Sequence, residues 1–164
     1  MGRTRQPFER PEGKLSSRLI VIATEGQKDR SENIYFKALK THKSAKNVHI
    51  ELLERDDSKS SPMNVKAQLD KFVDQYEIAD DDELWAVVDR DRWNLEEVSE
   101  ACKSGNINLC VSNPCFEIWL MLHLWTKKQF YELSDETKAE IFANKNDFGF
   151  PKLTTRLNWQ KNWT

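Results

Sequence analysis

Long apolar runs are missing from this chain. The longest, residues 118–125, is interrupted by His123 and is far too short to cross a bilayer. A membrane-spanning helix is therefore not expected. The N-terminus, Met-Gly-Arg-Thr-Arg-Gln-Pro, lacks the apolar core of a signal peptide, so export is not expected either. Cysteine is scarce, with only Cys102, Cys110 and Cys115. Their odd number argues against a disulfide framework, and the lack of any C-x-x-C pair argues against zinc. All three fall in or beside apolar segments, which suggests reduced, buried thiols in a cytoplasmic protein. Neither a glycine-rich phosphate loop nor a G-x-S-x-G elbow occurs, which argues against a P-loop ATPase and a serine hydrolase. No internal repeat or low-complexity tract is present.

What is there fits a soluble globular chain. The 164 residues are long enough for one domain with a real core, and 32% are charged against 38% hydrophobic. The net charge of −2 is unevenly spread. Residues 1–18 carry Arg3, Arg5, Arg10, Lys14 and Arg18 against Glu9 and Glu12. Residues 145–164 carry Lys145, Lys152, Arg156 and Lys161 against Asp147. Both ends are basic and the centre is strongly acidic. Such a pattern suits a metal-binding core with phosphate-binding arms, and it equally suits an ordinary solvated surface.

Residues 1–17 have little periodicity and read as a flexible basic tail. An apolar run at 18–24 reads as a strand buried on both faces, as in a parallel sheet. Asp29-Arg30-Ser31-Glu32 resembles a capping box, opening a helix through about Lys40. Residues 48–54 read as a second strand. Val65, Leu69, Phe72, Val73 and Tyr76 mark one face of a helix that Ser61 can cap and Pro62 can start. A third strand ends at Asp89. Asn94 can cap the next helix, with Gly105 as its stop. Residues 107–112 read as a fourth strand. Asn113 can cap a buried helix over 114–125, and residues 134–144 read as a fifth helix. Alternating strands and helices predict an α/β fold with a parallel-rich sheet of about four strands.

Two acidic signatures end two of these strands: Thr24-Glu25-Gly26, and Val88-Asp89-Arg90-Asp91. Sites in open α/β sheets form beyond the carboxyl ends of the strands. If both strands share one parallel sheet, Glu25, Asp89 and Asp91 converge there and need a hard cation or a proton between them. Alternation would send the Asp89 and Asp91 carboxylates to one side if the strand persists. A glycine after Glu25 allows a sharp turn and close approach of a ligand. The plain alternatives are a strand-end acid on a turn and a solvated loop. Glu117 falls on the first turn of the fourth helix, where it could complete a metal site or complement the helix dipole. Lys28, Arg90 and Arg92 could offset phosphate charge. His123 reads better as a core histidine than as a ligand.

This set of segments resembles the RloB-like family of Toprim-fold proteins. The matching pieces are Ile20-Val21-Ile22-Ala23-Thr24-Glu25-Gly26, Glu32 with Tyr35-Phe36, Val87-Val88-Asp89-Arg90-Asp91, and Ser112-Asn113-Pro114-Cys115-Phe116-Glu117-Ile118-Trp119-Leu120 with His123. The resemblance implies a single Toprim-like domain over 18–164, with the C-terminal part of the family missing. It implies a Mg²⁺-dependent nuclease (Mn²⁺ as substitute) in bacterial antiviral defence, of the abortive-infection type. Its substrate would be nucleic acid, DNA or RNA (tRNA among the candidates), and its partner an ATPase. Transferred here, Glu25 is the general acid or base, and Asp89 and Asp91 hold metal. Glu32, Asn113 and Glu117 match family positions of less certain role. The rival from another class is a catalytically silent regulatory module of an ATPase complex; a further rival is another metal-dependent phosphoryl transfer.

Overall fold

A computed structural model describes residues 4–9, 18–28, 30–41, 48–55, 61–91, 93–113 and 115–124. In chain order the elements are β1 (Gln6–Pro7), β2 (Arg18–Thr24), α1 (Ser31–Thr41), β3 (Val48–Leu53), α2 (Pro62–Gln75), β4 (Tyr76–Glu77), β5 (Glu83–Asp89), α3 (Leu95–Ser104), β6 (Asn108–Ser112) and α4 (Phe116–Leu124). The main sheet has four strands in the order β3-β2-β5-β6. Central β2 runs parallel to both neighbours, with Ala23 opposite Leu53 and Thr24 opposite Val87. The α/β expectation therefore holds. A strand flanked on both edges and covered on both faces cannot alternate, which explains why 19–24 is apolar almost throughout.

Helix α2 forms as its sequence dictates. The Ser61 hydroxyl accepts the Asn64 N–H, and Pro62 occupies the first turn, where its missing N–H matters least. Val65, Leu69 and Phe72 are buried against Leu19, Val21 and Ala23 of β2, together with Leu84, Ala86 and Val88 of β5. Each such large side chain contributes about 1.5–3 kcal/mol by leaving water. Val98 and Cys102 of α3 join the same cluster.

Several local details differ from expectation. Asn94 stands at the start of α3 but its side chain makes no capping bond. At the other end Gly105 keeps a negative φ, and Asn106 takes the left-handed conformation (φ 53°). The stretch read as a tail contains a packed residue. Gln6–Pro7 pairs in parallel with Tyr76–Glu77, and the Phe8 ring meets Phe72 and Tyr76 at 5.3 Å and His49 at 5.8 Å. The helix read over 114–125 runs from Phe116 to Leu124. The helix expected over 134–144 lies outside the described residues.

The chain divides into two compact units. One comprises residues 1–88 and 92–111, and the other residues 89–91 and 112–164. Among the described residues no helix is long and apolar enough to cross a membrane.

Candidate functional site

In the first unit, the end of β2 turns sharply at Glu25-Gly26. The Glu25 N–H donates to Val87 O at 3.3 Å, extending the ladder one residue past the strand. Its side chain is half-buried. Gly26 is there for a steric reason. A Cβ at this position would lie 2.5 Å from Glu32 Oε2 and 3.0 Å from Arg30 Cβ. Only glycine lets the Glu32 carboxylate lie against the turn.

The turn is held by buried polar groups. Asn33 Nδ2 donates to both Thr24 Oγ1 and Gly26 O, each at 2.9 Å. The Thr24 hydroxyl also donates to Gly26 O at 3.3 Å. Arg55 Nη2 donates to the Glu25 carbonyl at 2.7 Å. Five polar or charged residues are buried among those described: Thr24, Glu32, Asn33, His49 and Arg55. All but His49 border or bond this one turn. Burying such groups is unfavourable unless they are paired, so their gathering here marks the turn as the polar focus of the unit. Sequence reasoning missed Asn33 and Arg55. No motif announces them; the only available signal was a charged residue two positions after β3 and an amide in the first turn of a helix.

Lys28 and Lys37 both approach Glu54, at 3.2 and 2.7 Å, and hold its carboxyl below the usual range. Lys28 is exposed, and this ion pair gives way easily to another anion.

In the second unit, Asp89 has a definite structural task. Its Oδ1 accepts the Phe116 N–H at 2.9 Å, satisfying the first amide of α4. Asn113 was expected to cap this helix; the carboxylate of Asp89 reaches the amide instead, and an anion suits a helix N-terminus better than a neutral amide does. The condition that placed Asp89 and Asp91 on one side, a persisting strand, is not met. The Asp91 N–H closes on Asp89 O at 2.9 Å, a three-residue turn, and Asp91 is exposed. The Arg90 N–H donates to Ser112 O at 2.8 Å, and Arg90 is exposed too. Glu117 lies on the first turn of α4, as expected. Burial pushes the Cys115 thiol up to about 12, and the nearby carboxylates of Glu117 and Asp89 add to that. The surroundings of Arg92 and of the His123 side chain lie outside the description.

Among the described residues no three His, Cys, Asp or Glu side chains form a group that could hold a metal ion. The donor chemistry nevertheless fits Mg²⁺. This ion prefers oxygen, keeps several waters, and is commonly held by one or two carboxylates completed by substrate phosphates.

A family model described as RloB-like protein matches residues 20–162. The match takes in the Glu25 turn, the Asp89–Asp91 turn and α4. No curated protein matches the chain, and no solved structure does.

Proposed function

The chain belongs to the RloB-like family, and from that premise we propose that it is a Mg²⁺-dependent nuclease of bacterial antiviral defence. Asp89 and Asp91 would hold the metal, and Glu25 would move the proton. The bound ion would polarise a phosphoryl oxygen and orient the attacking water or the leaving oxygen. Glu25 exchanges a proton with the attacking or departing group, which only a carboxyl at that position can do. Lys28 and Arg90, both exposed, offset the charge of the phosphate backbone.

One observation supports this reading above the others. Glu25 directly follows β2 and Asp89 ends β5, and each is fixed by hydrogen bonds at a strand terminus, where α/β proteins build their sites. The net charge of −2 makes unaided binding of a polyanion weak. The reading therefore includes a partner, an ATPase by family resemblance, that supplies positive surface.

The test incubates purified protein, with and without the ATPase encoded beside it, with tRNA, plasmid and linear DNA in Mg²⁺ or Mn²⁺. Cleavage should need the metal. The E25Q variant should lose turnover while retaining most nucleic-acid binding, because an amide keeps the shape but not the proton. Full cleavage by E25Q would remove Glu25 from the chemistry.

A further inference from the structure

Of the six tryptophans, Trp85, Trp93 and Trp119 fall among the described residues. Two of these are engaged. Trp85 donates its indole N–H to Glu83 at 2.8 Å, and the Trp119 ring lies 5.2 Å from that of Phe116. Trp93 is 43% exposed, and among the described residues its side chain makes no hydrogen bond and no ring contact. A lone apolar residue at a surface is ordinary, so its place in the fold decides what it means. Trp93 stands in the connection from the end of β5 to the start of α3, at the carboxyl edge of the sheet. Glu25 stands on the same edge, at the end of the strand that pairs with β5, and both residues belong to the first unit. Val87 O accepts the Glu25 N–H, and the length of chain from Val87 keeps Trp93 within about 21 Å of that residue.

The next residue adds a polar group. Asn94 occupies the capping position of α3, yet its side chain makes no capping bond, and it is exposed. An indole face beside a side-chain amide is the pair of groups that suits an unpaired nucleobase. The ring stacks on the base, and the amide offers a donor and an acceptor to its edge. The neighbouring charges agree. Glu96 and Glu97, exposed on the first turn of α3, oppose a phosphate at this spot but not a flat, uncharged base.

We propose that Trp93 and Asn94 form a nucleobase site, in which a base stacks on the indole and bonds the amide through its edge. The nucleic acid that reaches the Glu25 edge is then single-stranded there, because bases inside a duplex are stacked on one another and have their edges paired. The proposal takes nucleic acid as the substrate class from the nuclease reading and rests on it to that extent. Holding a base requires neither metal nor turnover.

The probe is a single-stranded oligothymidylate, titrated at low ionic strength and in EDTA into the full chain carrying ¹⁵N-labelled indoles. The Trp93 indole signal, identified by its loss in W93F, should move on binding while that of Trp85 stays. W93A should bind about tenfold more weakly, and W93F, which keeps a ring, should lose less. N94A should bind about threefold more weakly. All three variants should melt close to the parent, since neither side chain makes a bond that the fold would lose. The same strand annealed to its complement should leave the Trp93 signal in place. The proposal is overturned if the parent does not bind the single strand, if the bound strand leaves the Trp93 signal unmoved, or if W93A or N94A binds as tightly as the parent. An equal shift with the duplex overturns it, and so does a Trp93 signal that moves with the neighbouring ATPase and not with the oligonucleotide, which would make Trp93 a protein contact. The nuclease reading fails separately: metal-dependent cleavage without a Trp93 shift removes the base site alone, and a Trp93 shift without cleavage in either metal removes the nuclease alone.

Discussion

Replacing Asn33 with alanine tests whether the Glu25 turn is held as described. Asn33 is fully buried, and its Nδ2 donates two bonds of 2.9 Å, to Thr24 Oγ1 and Gly26 O. Each is worth about 1 kcal/mol net. Removing the donor leaves the Gly26 carbonyl with only the longer bond from Thr24, and the truncation opens a small void. Together these give a loss of about 2–4 kcal/mol. For a chain of this size, 1 kcal/mol corresponds to roughly 2–4 °C, so N33A should lower the melting temperature by about 4–16 °C. Circular dichroism melts of parent and variant measure this directly. N33D sharpens the test. It keeps the shape but faces Gly26 O with an oxygen, so its ionised form is disfavoured when folded. The carboxyl pKa in that variant is therefore raised by folding, and its deficit should grow as pH rises above about 4 and shrink on acidification. If N33A melts within about 1 °C of the parent, the turn does not depend on this residue and its polar bracket is incidental.

Asp89 separates structure from chemistry: D89N keeps an acceptor for the Phe116 N–H and should melt close to the parent, whereas D89A should lose about 0.5–2 kcal/mol with the cap. In calorimetric titration D89N should bind Mg²⁺ or Mn²⁺ more weakly, and an unchanged isotherm would sink its assignment as a ligand. Burial raises the Cys115 thiol to about 12, so at about pH 8 iodoacetamide should label exposed Cys110 well before Cys115; the reverse order would contradict the burial. The same shift has a sign in stability. An unfolded cysteine loses its proton near pH 8.5 while the folded one keeps it, so stability should fall as pH rises from about 8.5 towards 12. The C115A variant should lose part of that slope in urea unfolding, and an identical slope would argue against it.

The strand and helix pattern was legible because its cues are local and redundant. β2 is apolar over its length, α2 carries both its period and its cap, and the four strands of the main sheet fall within a residue or so of the expected ones, whereas the two-residue strands β1 and β4 were not foreseen. Cues that depend on distant partners were not legible. Phe8 gives no sign in sequence that it will meet His49, Phe72 and Tyr76. Asn113 satisfies every local rule for a cap, yet the bond to Phe116 comes from Asp89, 27 positions earlier, because the return of the chain brings a full charge to the helix end. Glu25 and Asp89 stand out in the sequence as acids at the ends of apolar runs. Arg55 and Asn33, which determine how the Glu25 turn is held, belong to no spacing pattern, since their partners are backbone and hydroxyl groups on another segment.

The placement of these buried groups bears on function. An apolar residue at position 33 or 55 would need no compensating bond, and a strand-to-helix connection needs no guanidinium under it. Yet Arg55 is buried with its Nη2 against the Glu25 carbonyl, and Asn33 bridges Thr24 and Gly26, the residues before and after it in sequence. The residue held between them is a carboxylate at the carboxyl end of a parallel strand. Gly26 brings a second carboxylate, Glu32, against the same turn, an arrangement that any Cβ there would disturb. Core packing alone would favour the opposite choices: fewer polar groups, wider separation of the acids and a side chain at Gly26. These bonds hold the backbone around Glu25 at the carboxyl end of β2, where α/β proteins build their sites.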